Sequence, residues 1–341
     1  MLPAIGKIDR EVFEKIIFPK LGFPNKRVLL GPQHGVDAAV ISLDDVKGDV
    51  MVIAEDPTFG LPSLLDYFGW AIVHICASDV AVLGIPPKYM TICLLLPPGT
   101  DVGLLDKIWG QVHDECKKLK ISIVGGHTGV YPGIGYPLNG GCTVIGIGKK
   151  DQVKPPSNAK IGDKILLTKG PAIEAVGVLA VQAEKTLRDV LGAETVEKAK
   201  KHIFNMTVVE DALTCASLAN AMHDATEGGV LNAVYEIAEA SKVGCKIYED
   251  KIIIPEEILA VCNYFKINPL ISISEGTLIV TCPPHNVEPI QDALSKKGVK
   301  SWEIGEVVKD QRYIISKDGV KNALKPVKVD PFWEAYFKSM Q

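Results

Sequence analysis

The stretch Leu65-Asp-Tyr-Phe-Gly-Trp-Ala-Ile-Val-His-Ile-Cys-Ala-Ser-Asp-Val-Ala-Val-Leu-Gly84 carries apolar residues at helical spacing from Leu65 to Leu83. Gly84, with Pro86 beyond it, supplies the stop signal. The oddity is one charge: Asp79 sits among Ala77, Val80, Ala81 and Val82, where an unpaired carboxylate would be expensive. The segment is not a membrane span, because from Ala71 to Pro87 it is interrupted by His74 and Asp79 and ends in two prolines.

Working outward, Ala38–Ile41 and Asp49–Ala54 are short β-branched runs that read as strands. They follow a glycine-bounded loop, Gly31-Pro-Gln-His34-Gly35-Val-Asp37, and an amphipathic entry helix over Asp9–Leu21 capped by Asp9. Downstream, Tyr89–Leu96 reads as strand, and a helix capped by Thr100 or Asp101 reaches Lys120, with lysines suiting its negative end. A strand over Ile121–Val124 is expected to stop at Gly125-Gly126, and Cys142–Ile147 forms another. The stiff polar link Pro155-Pro156-Ser157-Asn158 divides the chain into domains of residues 1–155 and 156–341. Strands at Lys164–Thr168 and Thr277–Thr281, with helices at Val208–Met222, Gly229–Ser241 and His285–Lys297, make the second part another α/β layer structure. The fold class is therefore α/β, with α+β character, in two domains.

The 341 residues, 47% of them apolar, suffice for two cores. A net charge of −4, with Lys and Arg dispersed, offers no footprint for nucleic acid. Eight cysteines are scattered singly without zinc-ligand spacing, and most are expected to be buried core thiols. Met1–Arg10 already holds Lys7, Asp9 and Arg10, so no signal peptide opens the sequence and the cytoplasm is the expected location.

Asp37, Asp56 and Asp79 each lie at a strand end or helix position among small or apolar residues. Any one of them can be a turn, a cap or a local pair. Three in one half suggest a bound cation, and Mg²⁺ takes such hard oxygen ligands. Gly125-Gly126-His127-Thr128 reads as a loop with open backbone N–H groups, fit for a phosphate or for plain punctuation. His223-Asp224-Ala-Thr-Glu227-Gly-Gly229 precedes a helix, where either anion binding or simple capping applies.

Taken in order, these segments resemble the AIR-synthase-related, PurM-like superfamily, which includes thiamine-monophosphate kinase, selenophosphate synthetase and the hydrogenase-maturation protein HypE. Gly35-Val-Asp37-Ala-Ala-Val40 is similar to that family's Gly-Asp-Asp-Ala-Ala-Val, Ala54-Glu-Asp56 to its Thr-Asp, and Ser78-Asp79-Val-Ala-Val-Leu-Gly84 to its Asn-Asp-Leu-Ala-X-Met-Gly. Gly125-Gly-His127-Thr128 resembles Gly-Gly-Asp-Thr, with His for Asp. His223–Gly229 resembles the His-Asp-Pro-Thr-Arg-Gly-Gly of HypE, and Ser274-Glu-Gly276 a later HypE element.

The resemblance implies a two-domain protein that pairs its N-terminal sheets in a homodimer and holds Mg²⁺-ATP. It makes Asp37, Asp56 and Asp79 metal or phosphate ligands. Gly31, His34, Gly35, Asp37, Gly125, Gly126, His127 and Thr128 become nucleotide contacts, and His223, Asp224 and Glu227 face an unidentified small-molecule acceptor. The sequence ends Phe337-Lys-Ser-Met-Gln341, without the C-terminal cysteine that carries the substrate in HypE, so dehydration of a protein-bound thiocarboxamide in cis is not expected. Phosphorylation of an amide, acyl or carbonyl oxygen is the favoured expectation. A thiamine-monophosphate-kinase-like phosphotransferase and a non-catalytic nucleotide-binding scaffold docked to maturation proteins are the alternatives.

Overall fold

The computed structural model describes residues 28–30, 35, 36, 38–43, 49–58 and 60–340. The expected entry helix Asp9–Leu21 and the loop residues Gly31, His34 and Asp37 lie outside the described residues.

Six strands build the first sheet: β1 (Val28–Leu30), β2 (Ala39–Leu43), β3 (Asp49–Pro57), β4 (Pro87–Leu96), β5 (Ser122–Val130) and β6 (Asn139–Lys149). Their order is β1-β2-β3-β6-β4-β5, antiparallel throughout except for the parallel pair β4 and β5. Period-two alternation buries Val50, Val52 and Ala54 of β3 and Met90, Ile92 and Leu94 of β4 in one core. Two helices belong to this half: α1 (Phe68–Ala81), packed on β3 and β6, and α2 (Val102–Leu119), packed on α1 and β5.

The second sheet holds β7 (Lys164–Thr168), β8 (Ala221–Asp224), β9 (Gly244–Tyr248), β10 (Leu278–Cys282), β11 (Ser301–Val308), β12 (Arg312–Ile315) and β13 (Lys321–Ala323). The order is β13-β12-β9-β11-β7-β10-β8, and only β9 and β12 run parallel. Around it lie α3 (Ile173–Gln182), α4 (Glu184–Leu191), α5 (Ala193–Lys200), α6 (Val209–Cys215), α7 (Gly229–Ala240), α8 (Glu256–Phe265), α9 (Val287–Ser295) and α10 (Pro331–Ser339). Strand β7 is buried on both faces. Leu166 joins a core shared with the first sheet, while Ile165 and Leu167 pack with Val230, Val234 and Ile237 of α7.

Helix α1 joins the halves. Ile72, Val73, Cys76, Ala77 and Val80 enter the core of the first sheet, and Trp70 and Ile75 pack on a helical cluster built from α3, α5, α8 and α10. A helix covered on two sides has to be apolar nearly all round, which is what its sequence shows.

Two expected elements change. The helix expected over Val208–Met222 stops at Cys215, and β8 begins at Ala221. Pairing of Met222 with Val280 wins over helical propensity, and Asn286 Nδ2 donates to the Leu218 carbonyl to hold the intervening turn. Gly125–Thr128 is not a loop but the middle of β5, which continues to Val130. Its register slips against β4 between Met90 and Thr91, with Val124 the extra residue, and Gly126 just beyond takes φ +148°. A Cβ there would lie 2.1 Å from the Ile92 carbonyl oxygen.

Candidate functional site

Asp56 near the end of β3 and Asp79 on α1 are both half-buried. They converge on one thiol: Cys76 donates to the Cys142 carbonyl at 3.1 Å, and its hydrogen bonding with Cys142, then burial, then the charges of Asp56 and Asp79 push the thiol far up. Two carboxylates that the sequence separates by 23 positions thus share one neighbourhood. Burial likewise lifts Cys116, Cys245, Cys262 and Cys282 to about 12, so these thiols are inert core groups, as expected.

The same helix is stitched to the second half by polar bonds. Ser78 Oγ donates to the His74 carbonyl at 2.8 Å and accepts from the Val208 N–H at 2.9 Å. His74 Nδ1 lies 3.0 Å from the Thr207 hydroxyl, and its Nε2 lies 3.2 Å from Glu115. Burial lowers the His74 pKa and keeps the ring neutral. Burial pulls Glu115 upward, but hydrogen bonds from Lys118 and His74 outweigh it and hold its carboxyl below the usual range.

In the second half, β8 delivers His223 and Asp224 into the interior, 2% and 0% exposed, and Glu227 follows half-buried. The His223 Nε2–H donates to Glu236 on α7 at 2.9 Å, whereas Nδ1 stands 3.6 Å from Asp224, beyond a hydrogen bond. Asn232 Nδ2 donates to the other Glu236 oxygen at 3.1 Å, and Asn232 Oδ1 accepts from the Val327 N–H. Asp330, the N-cap of α10, accepts from Gly228 at 2.8 Å and Phe332 at 2.9 Å. Burial pushes Asp330 up to about 6 against those two bonds. Trp333 donates to Glu227 at 3.2 Å. A Cβ on Gly35 would come within 3.1 Å of the Glu236 Cβ, so the glycine loop of the first half abuts the helix that orients His223.

Between the halves, Glu174 in the first turn of α3 accepts from the Glu275 N–H at 3.3 Å, and Ser274 Oγ accepts from the Ile173 N–H. Gly276 takes φ +99°, with a Cβ position only 2.0 Å from the Asn205 carbonyl oxygen, so the Ser274-Glu-Gly276 turn tolerates no side chain at that point. Beside it lies a cavity of about 140 Å³ lined by Asp56, Thr58 and Cys142 from one half and Glu174, Val178 and Met206 from the other.

Asp56 and Asp79 therefore lie together, and His223, Asp224 and Glu227 together with Gly35 nearby. Gly125, Gly126, His127 and Thr128 lie elsewhere. Strand β5 is three strands from β3 in the sheet, about 14 Å at normal spacing, and the exposed His127 contacts the Tyr131 hydroxyl on its own segment. Among the described residues no group of three or more His, Cys, Asp or Glu side chains could hold a metal ion. Mg²⁺ needs less from a protein, commonly one or two carboxylates beside substrate phosphates, and Asp56 and Asp79 have that chemistry. Glu174, Glu236 and Asp330 escape a reading of the sequence, since each looks like an ordinary surface acid of a helix start or face.

Two mixed sheets sharing a core define the two-domain PurM-like class. More narrowly, the chain belongs to the AIR synthase-related family: the N-terminal domain of AIR synthase related protein matches residues 35–147 and the C-terminal domain residues 160–318. A Methanocaldococcus jannaschii protein named for hydrogenase expression and formation is 26% identical over 92% of this chain and 91% of its own. The carbamoyl dehydratase HypE of Azotobacter vinelandii is 27% identical over 73% and 72%. Among solved structures, a HypE–HypF complex aligns with TM-score 0.73 at 21% identity, covering 93% of this chain and 99% of that one. HypE in complex with ATP aligns with TM-score 0.68 at 19% identity, covering 96% and 97%. At such identities the structural likeness speaks for the fold. No described helix is long and apolar enough to cross a membrane.

Proposed function

We propose that the cleft binds Mg²⁺-ATP and that the protein phosphorylates an amide, acyl or carbonyl oxygen of a small molecule. The observation that carries this reading is the convergence of Asp56 and Asp79 around Cys76. A fold neighbour solved with ATP supports it. Mg²⁺, when bound, neutralises charge on the phosphates. Asp56 and Asp79 would supply hard oxygens for it. The acceptor oxygen bonds to the γ-phosphorus as the bond to the ADP oxygen breaks, and an amide acceptor sheds one N–H proton. His223, held to Glu236 through Nε2, is the imidazole expected to take that proton. Asp224 and Glu227 complete the acceptor side.

Calorimetric titration of ATP with and without Mg²⁺ tests this. Asp79→Asn and Asp56→Asn should each weaken metal-dependent binding at least tenfold in a folded protein. Unchanged affinity removes these carboxylates from the site, and no binding by the wild type moves the reading to a scaffold.

A homodimer belongs to the same proposal. Strand β5 is an outer strand carrying exposed Val124 and Val130, with exposed Tyr131 just after it, and such an edge calls for cover. A second copy there would add its own Gly125–Thr128 to the assembly. Light scattering at micromolar concentration should give twice the chain mass, and a monomer contradicts it.

A further inference from the structure

Apolar packing grips helix α1 on two sides, but such packing is non-directional and leaves the rotation and axial setting of a helix loosely defined. Directional bonds set both. His74 and Ser78 stand one turn apart on one face of α1 and reach two consecutive residues, Thr207 and Val208, in the segment between α5 and α6. Both side chains are also fixed within the first half. Trp70 stacks on the His74 ring at 4.2 Å, Glu115 of α2 holds its Nε2, and Ser78 Oγ donates to the His74 carbonyl. Glu115, held below the usual carboxyl range, is ionised and only accepts hydrogen bonds. The neutral His74 ring therefore carries its hydrogen on Nε2, and its Nδ1 accepts from the Thr207 hydroxyl.

Thr207 is firmly held in turn. Its carbonyl accepts from Lys169 Nζ, which pairs with the buried Asp211 at 2.8 Å, and Asp211 accepts at 3.0 Å from Thr168 Oγ1 at the end of β7. A polar path from Asp211 through Lys169, Thr207 and His74 thus ties α1 to the second sheet. Asp79 directly follows Ser78, so its carboxylate moves with the helix. A slip of one residue along the axis is about 1.5 Å, whereas a binding group has to be held within about 0.5 Å. We propose that Thr207 is a positioning residue for the metal–nucleotide site, acting through His74 to set α1 and with it the place of Asp79. This rests on the reading of Asp79 as a ligand of Mg²⁺-ATP.

The test titrates ATP into the full chain by calorimetry, with and without Mg²⁺. Thr207→Val keeps the shape and removes the hydroxyl, so Mg²⁺-ATP should bind at least about fivefold more weakly while ATP without Mg²⁺ is unaffected. Thr207→Ser, which keeps the hydroxyl, should restore the wild-type affinity. In an Asp79→Asn background Thr207→Val should change nothing further, because the group it places is gone. Should Thr207→Val fail to fold, His74→Phe, which keeps the stack on Trp70 and loses both ring bonds, should show the same pattern. Wild-type affinity in the folded variant, an equal loss without Mg²⁺, or the same loss added to that of Asp79→Asn overturns the proposal. A role in stability alone gives the first of these with a lowered melting temperature. If the wild type binds no Mg²⁺-ATP, or Asp79→Asn binds it unchanged, the ATP-dependent reading falls instead, and hydrogen exchange decides the positioning by itself. Thr207→Val should then quicken exchange over Cys76–Leu83 and leave α7 as it was; exchange unchanged over Cys76–Leu83, or quickened equally in α7, overturns it.

Discussion

Helix α1 of the first half and the His223–Gly229 turn of the second are held by different physics. The helix is gripped by apolar packing on two sides, with Val73, Cys76, Ala77 and Val80 wholly buried, and its polar bonds through His74 and Ser78 are few. The turn is a polar construction. Its Gly228 N–H ends on Asp330, its Glu227 accepts from Trp333, and the chain Val327, Asn232, Glu236 leads by hydrogen bonds to His223. Packing of the first kind resists change in proportion to volume. A network of the second kind responds to single atoms and protons. The molecule therefore has one wall set by shape and another set by hydrogen bonding.

The contrast breaks most visibly at the apolar wall. Leu83 follows α1 and is fully buried, so Leu83→Ala should cost about 2–5 kcal/mol of stability by lost transfer energy plus the cavity left behind. Urea denaturation followed by circular dichroism measures it. A loss well under 1 kcal/mol would mean that packing is not what fixes the helix.

The polar wall should instead answer to pH. Asp330 has a folded pKa of about 6, raised by burial from the ordinary 3.8, so between those values the folded state holds a proton that the unfolded state has released. Stability from this group is then greatest below pH 4 and declines as pH rises through about 6, by on the order of 2–3 kcal/mol. In Asp330→Asn the single carbonyl oxygen can accept from only one of Gly228 and Phe332. The variant should lose about 1–2 kcal/mol at pH 5 and flatten the slope between pH 4 and pH 6. An unchanged slope would place the titrating group elsewhere.

The two walls also differ in how far the sequence reveals them. Helix α1, the strands β3, β4 and β7 and the helix after Gly229 follow from apolar spacing and stop signals, because packing periodicity is written in neighbouring residues. Asp79 stands out for the same reason, as a charge against an apolar pattern. The Gly125-Gly126 pair misleads: glycine usually punctuates, but here it lets β5 slip past the β4 carbonyls without ending. The hold of Asp330 on Gly228 spans 102 positions and leaves no local trace, since an Asp before Pro331 reads only as a helix cap. Long-range polar contacts of that kind become visible only when the fold brings the partners together.

The smallest effect sharpens the comparison further. Trp333 lies half-buried between Phe332 and Tyr336 and gives its indole N–H to Glu227 at 3.2 Å. Trp333→Phe keeps an aromatic ring in the contact and removes the donor, so packing changes little while one hydrogen bond to a carboxylate is lost. Such a bond contributes about 1–2 kcal/mol, reduced here by the half-exposure of both partners to water. The stability loss should therefore be about 1 kcal/mol or less. Its main consequence is local: hydrogen exchange should quicken at Thr226–Val230 and stay unchanged along α1. Equal acceleration in both places would show that the walls open as one unit and that the distinction drawn between them does not hold.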